Sequence, residues 1–357
     1  MRLPSARGVI LEELVLHLLT LVGYRIVSPG EEGTQQGHSG LEVRGRGEWH
    51  QIDALAAFDR TPAFMYPLRL LLEAKCYARG RPVGIEVARN AVGVLKDISE
   101  NYFTYTPLGP AGTAVQVPRF NYHAAIFSTS GYASGAQRFA IAHQIFLIQY
   151  ERVSLLEPVV DGLLSLQDQH IRGLGGNEVE ISARLRSDIR RMLQDSENAV
   201  ERADSALSPE GFEHVREKVV GPLLRIEGSY FGMLQGRWPM HLLSRRPLPE
   251  ATFLGRDEVA CRVYGRDSDR WSFAPVGLQE GDPSWFRLEF DIPAEVVGFV
   301  REARGDPFAL AAVKQEHFSY LDLAGRIGGI QRHVRLRLDE DWLGAYLERI
   351  LGRQGLA

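Results

Sequence analysis

Two cysteines in 357 residues, Cys76 and Cys261, are too few and too far apart for a disulfide framework or a cysteine-ligated zinc site. No apolar run approaches the roughly 20 residues that cross a bilayer. The N-terminus lacks the charged-then-apolar pattern of an export signal. A cytoplasmic protein with no membrane partner is therefore expected. An excess of one charge is missing too: 41 Lys and Arg against 45 Asp and Glu leave a formal net charge of −4. That excludes a histone-like polycation but not local basic patches, because phosphate binding depends on where charge lies. The ten histidines show neither HExxH nor zinc-ligand spacing. There is no GxxxxGKS loop, no Rossmann fingerprint, no GxSxG elbow, no internal repeat and no low-complexity segment.

What is present is an ordinary globular composition, 45% hydrophobic and 24% charged, in a chain long enough for two domains. Leu11, Leu14, Val15, Leu18, Leu19 and Val22 repeat at helical spacing, which predicts a helix over 8–22 stopped by Gly23. A short strand is expected at 24–28 and a mobile Gly- and Gln-rich loop at 29–40. Strands over 51–58 and 66–76 flank a turn at 59–62 and suggest a hairpin. A helix follows at 85–100, a loop at 102–118, then strand 123–128, helix 133–143 and strand 145–149. That last unit implies a crossover onto the same sheet. Residues 151–176 read as irregular, ending in a Gly-rich linker, and 178–204 as one charged helix. Beyond about residue 222 the chain turns strand-rich and aromatic. Residues 287–292 and 333–338 alternate cleanly, and helices are expected at 295–301 and 342–351.

The expected fold class is α/β with a mixed sheet, followed by a separate α+β domain with an antiparallel sheet. The expected domains are 1–155, a linker and charged helix over 156–205, and 206–357.

The chemistry concentrates on Asp53 and on Leu70-Leu71-Leu72-Glu73-Ala74-Lys75. An acid and a base stand where a strand normally carries only aliphatic residues. Alternation points Glu73 and Lys75 to one face and Leu72, Ala74 and Cys76 to the other. Buried charges are costly unless paired or holding a metal. Asp53 and Glu73 are hard oxygen donors suited to Mg²⁺, with Mn²⁺ as a substitute. Lys75 could orient or deprotonate an attacking water, or stabilise developing negative charge. Phosphodiester hydrolysis needs this combination. The plainer alternatives are a surface pair on an edge strand for Glu73 and Lys75, and a turn cap for Asp53.

Asp53 followed by Glu73-x-Lys75 resembles the PD-(D/E)xK nuclease superfamily, the restriction-endonuclease-like fold, and is most similar to its Mrr-type branch. Gly8-Val9-Ile10-Leu11-Glu12, continuing to Leu21-Val22-Gly23-Tyr24, is similar to that branch's first helix, with Glu12 rather than Glu13 at the acidic position. His50-Gln51-Ile52-Asp53 resembles the strand with the metal-binding aspartate, with Ile52 replacing the family's proline. Ser128-Thr129-Ser130-Gly131-Tyr132, with Gly135, Ala136, Ala140, His143 and Ile145, is similar to the late strand, turn, helix and strand. The resemblance covers about residues 8–150.

It implies a restriction-endonuclease-like α/β/α core and a Mg²⁺-dependent endonuclease acting on double-stranded DNA in restriction of foreign DNA or antiviral defence. Asp53 and Glu73 would bind metal, Lys75 would handle water and Glu12 would assist. Two other classes stay open: a catalytically inactive DNA-binding or assembly subunit, and a nuclease gated by a ligand at a C-terminal sensor domain. A homodimer, with the charged helix as a contact, or a partner defence subunit would complete the assembly.

Further candidates are His50 and Gln51 as groups behind the metal site, Arg79 and Arg81 as DNA-backbone contacts, and Ser130 as a phosphate contact at a helix start. Each has a plainer reading as a strand, surface or turn residue. The C-terminal aromatics could stack on bases or form a core, and Arg332, Arg335 and Arg337 could form a basic strip or solvated strand positions.

Overall fold

A computed structural model describes residues 1–38, 40–58, 60–61, 64–105, 115–196, 198–265, 271–293 and 295–354. The chain divides into two compact units, each built from two segments: 1–147 with 161–220, and 148–160 with 221–357.

The first unit opens with α1 (Leu3–Val22), longer than its apolar repeat predicts. Gly23 ends it at φ 113°, a left-handed conformation that only glycine adopts cheaply. β1 (Tyr24–Ile26), β5 (Ala54–Phe58), β6 (Leu68–Lys75), β9 (Asn121–Ser128) and β10 (Phe146–Gln149) form a five-stranded sheet in the order β1-β5-β6-β9-β10. β5 pairs with β6 antiparallel and β6 with β9 parallel, so the sheet is mixed and β6 is its central strand. This excludes an edge-strand reading of Glu73 and Lys75. α1 packs on β1, β5 and β6; α2 (Ile85–Ser99) packs on β9 and on α3 (Ser134–Ala142). Leu55, Leu71, Ala124 and Ile126 join Ala88 and Ala140 in one buried cluster.

Several expectations need correction. The loop expected at 29–40 contains β2 (Thr34–Gln36), which pairs with β3 (Leu41–Arg44), itself paired with β4 (Trp49–Gln51). The strand expected over 51–58 is broken: β4 belongs to this three-stranded sheet, β5 to the larger one, and the chain changes sheets at Ile52 and Asp53. The two ends of the loop expected at 102–118 pair as β7 (Tyr102–Tyr105) and β8 (Val115–Pro118). Two residues of the turn expected at 59–62, Asp59 and Pro62, lie outside the described residues.

The stretch expected to be irregular includes α4 (Glu157–Leu164). The charged helix is α5 (Glu178–Gln194), ten residues shorter than expected. It stops where Asp195 turns its carboxylate back on Asn198, accepting from both its backbone N and Nδ2. α5 packs on α1 and buries Ile181, Leu185, Ile189 and Met192. Residues 161–204 are therefore part of the first unit and not a linker.

The second unit is a closed seven-stranded barrel rather than a simple antiparallel sheet. Its strands are β11 (Gly228–Leu234), β12 (Trp238–Ser244), β13 (Glu258–Tyr264), β14 (Trp271–Pro275), β15 (Leu288–Phe290), β16 (Tyr320–Ile327) and β17 (Ile330–Leu338). β16 pairs with β11, and β17 pairs in parallel with β13, which closes the ring and leaves no open edge. Trp271, Phe273, Phe290 and Phe318 are buried in contact inside it, so those aromatics are core. Arg332, Arg335 and Arg337 are each paired, with Asp257, Asp322 and Glu258, and do not form an unneutralised strip.

Candidate active site

The change of sheets at Ile52–Asp53 is what exposes the first acid. Ile52 stays buried and donates its N–H to Leu41 O at 3.1 Å, and the next residue leaves the ladder. Ala54 lies opposite Leu72, and one further step of that antiparallel register sets Asp53 opposite Glu73. Ala74 N donates to Asp53 Oδ2 at 3.1 Å, which fixes the carboxylate across the strand end. Lys75 Nζ forms an ion pair with Glu73 and stands 3.9 Å from Asp53 Oδ2. All three side chains are about one-quarter exposed, inside the sheet yet reachable from water. The three residues expected to converge do converge.

The charges are out of balance. Burial, then the Asp53 charge, pushes the Glu73 carboxyl above its ordinary value against the pull of Lys75. Burial alone would lower Lys75, but Asp53 and Glu73 outweigh it and hold the ammonium above its ordinary value. Lys75 is thus an ammonium at neutral pH, suited to stabilising negative charge rather than to removing a proton.

Glu12 enters from α1, buried, its carboxyl raised to about 8 by desolvation first and by Asp53 second. Asp53 thus presses electrostatically on both Glu12 and Glu73. Glu12 Oε2 has an ion contact to Arg186 Nη2 at 2.5 Å but makes no well-directed hydrogen bond. Glu13, its neighbour on α1, is as deeply buried as Glu12. It is held by Arg190 at 2.6 and 2.8 Å and by Arg186 at 3.2 Å. Two adjacent acids on a buried helix face are tolerated because α5 brings two guanidiniums to them.

The other candidates sit elsewhere or are already engaged. His50 Nε2 lies 2.7 Å from Asp97 Oδ2, tying β4 to α2. Gln51 is exposed on β4. Arg79 pairs with Asp161 at 3.2 Å, and Arg81 stacks over the Tyr77 ring at 5.1 Å. Ser130 is fully buried and donates to Arg81 O at 2.8 Å, so it locks the turn after β9 instead of meeting a phosphate.

Arg186 is the residue that sequence reading missed. It lies 133 positions after Asp53, yet both line one cleft of about 470 Å³. The only sequence signal was the i, i+4 spacing of Arg186 and Arg190 on a helix that also carries an apolar stripe.

Among the described residues no group of three or more His, Cys, Asp or Glu stands in a ready-made metal cage. Mg²⁺ needs only one or two carboxylates, with water completing its shell. Asp53 and Glu73 meet that requirement, and their mutual repulsion is what a divalent ion would relieve.

The chain matches no family model and no curated protein. Among solved structures it is similar to a protein of unknown function, AF1548, at 14% identity and a TM-score of 0.32, covering 61% of this chain and 96% of the other. A likeness at that level carries no argument about fold or activity.

Proposed function

We propose that this chain is a metal-dependent endonuclease that hydrolyses phosphodiester bonds of double-stranded DNA, with a restriction-endonuclease-like first unit of the Mrr type. The observation that carries this reading is the meeting of Asp53, Glu73 and Lys75 at the end of the central strand, with Glu12 electrostatically coupled to Asp53. Asp53 and Glu73 would hold Mg²⁺, which supplies an acidified water and charge neutralisation on the phosphate when bound. Lys75 keeps its ammonium beside both carboxylates and offers its charge to the negative oxygens of the transition state. Glu12, electrostatically coupled to Asp53, would assist from α1. Restriction of foreign DNA is the role that the resemblance suggests, and the barrel would serve recognition or assembly.

The test is plasmid nicking by purified protein with Mg²⁺. Asp53→Ala and Lys75→Ala should each lose roughly 100-fold or more of the rate, the scale of a positioned catalytic group. Equal nicking by all three proteins would end the proposal and favour a non-catalytic DNA-binding subunit.

A further inference from the structure

The cleft that opens on Asp53 has an asymmetric lining. Among its described residues Asp53 is the one acid, whereas α5 contributes Arg186, Arg190 and Arg191. The α5 positions that line it fall at helical spacing, so a single face of the helix forms the wall. Arg191 is already tied to Asp188 at 2.6 Å. Arg190 differs. Its Nε and Nη2 donate to buried Glu13, yet half of its side chain remains exposed. A guanidinium has five N–H donors in a rigid fork, so bonding one edge to Glu13 fixes the plane and leaves the other edge facing out. Arg186, about one-quarter exposed, is held in the same way between Glu12 and Glu13. A buried carboxylate, Glu13, orienting two partly open arginines forms a preorganised anion site. Ser182, Ser187 and Gln194 add neutral donors along the wall. From 182 to 194 the helix runs about 18 Å, long enough to follow several phosphates of one strand.

We infer that this face of α5, with Arg190 as its principal contact and Arg186 beside it, holds the phosphodiester backbone of the substrate next to Asp53. The inference deepens the nuclease reading and rests on it for the identity of the anion. It places substrate binding on a helix from beyond residue 150, outside the stretch that resembles a known nuclease.

The experiment is fluorescence anisotropy of a fluorescein-labelled DNA duplex with the full chain in EDTA, across a salt series. Arg190→Gln alone would leave buried Glu13 with Arg186 as its remaining cation, so the decisive variant is the pair Glu13→Gln with Arg190→Gln, which removes the carboxylate together with its main partner. A thermal melt confirms that it folds, and Arg216→Gln, which breaks an exposed pair with Glu213, is the control. The pair should weaken binding at least roughly five-fold, and the slope of log K against log salt should flatten by about 0.9, one phosphate contact. The control should change neither.

Unchanged affinity and slope in the folded pair overturn the inference. So does a wild type that does not bind the duplex at low salt. The nicking assay separates the two claims. Nicking by wild type with arginine-independent binding sinks the wall and spares the nuclease. Arginine-dependent binding with no nicking in Mg²⁺ spares the wall and sinks the nuclease.

Discussion

Glu12 shows what a single misplaced charge does to a folded chain. Its carboxyl is raised from an ordinary 4.5 to about 8, chiefly by desolvation. Between those values the folded state holds a proton that the unfolded state has released. Stability must therefore fall as pH rises through that window, at about 1.4 kcal/mol per pH unit for a fully shifted group. Glu12→Gln mimics the protonated form and removes that slope. Urea unfolding should show the variant more stable than wild type at pH 8, with the gain shrinking toward zero by pH 5. A constant difference across that range would mean that Glu12 ionises freely and is not buried against Asp53. The same residue explains a limit of sequence reading. Glu12 and Glu13 look alike in the chain, and only the arrival of Arg186 and Arg190 from α5 makes both acceptable in the interior.

At the scale of elements, α5 decides whether the site is complete. Leu185 is fully enclosed on the face of α5 whose helix packs on α1. Leu185→Ala should cost about 2–5 kcal/mol, the range for a buried leucine emptied to a cavity. By loosening α5 it should also lower nicking, whereas the same loss of stability in the barrel should leave nicking intact. Thermal denaturation and the plasmid assay together check this, and an unstable but fully active Leu185→Ala would detach α5 from the site. Which elements could be read from the chain follows a physical rule. α1, α2, β6 and β9 carry unbroken apolar patterns, and their places were legible from periodicity. Asp53, Glu73 and Lys75 were legible because charges at the end of an aliphatic strand stand out. β2 is Thr-Gln-Gln, three polar residues whose strand character comes only from pairing with β3. The break at Ile52–Asp53 was hidden because both halves of the expected strand are strands, in different sheets. Closure of the barrel depends on β13 meeting β17 in parallel across more than 70 residues, and no local pattern encodes that.

For the molecule as a whole, the order of segments matters more than their composition. The chain leaves the first unit after Leu147, supplies Ile148–Val160 to the second, returns for Asp161–Val220, and then completes the barrel unit. A boundary placed near 155 looks natural in the sequence, because the resemblance to a nuclease ends there. It cuts through both units. A fragment of residues 1–155 keeps Asp53, Glu73 and Lys75 but loses α5, and with it both partners of Glu13 and the apolar face that covers α1. Removing α5 bares the face of α1 that it covered, and most helical stability in a protein comes from such tertiary packing. The fragment should therefore show weak protection of α1 amides in hydrogen exchange and no nicking. A fragment of residues 1–220 should recover protection of α1 and with it the cation wall. Activity and a protected α1 in the shorter fragment would mean that the catalytic unit is self-sufficient at 155 and that α5 is an appendage. A gain confined to the longer fragment would place α5 inside the catalytic unit.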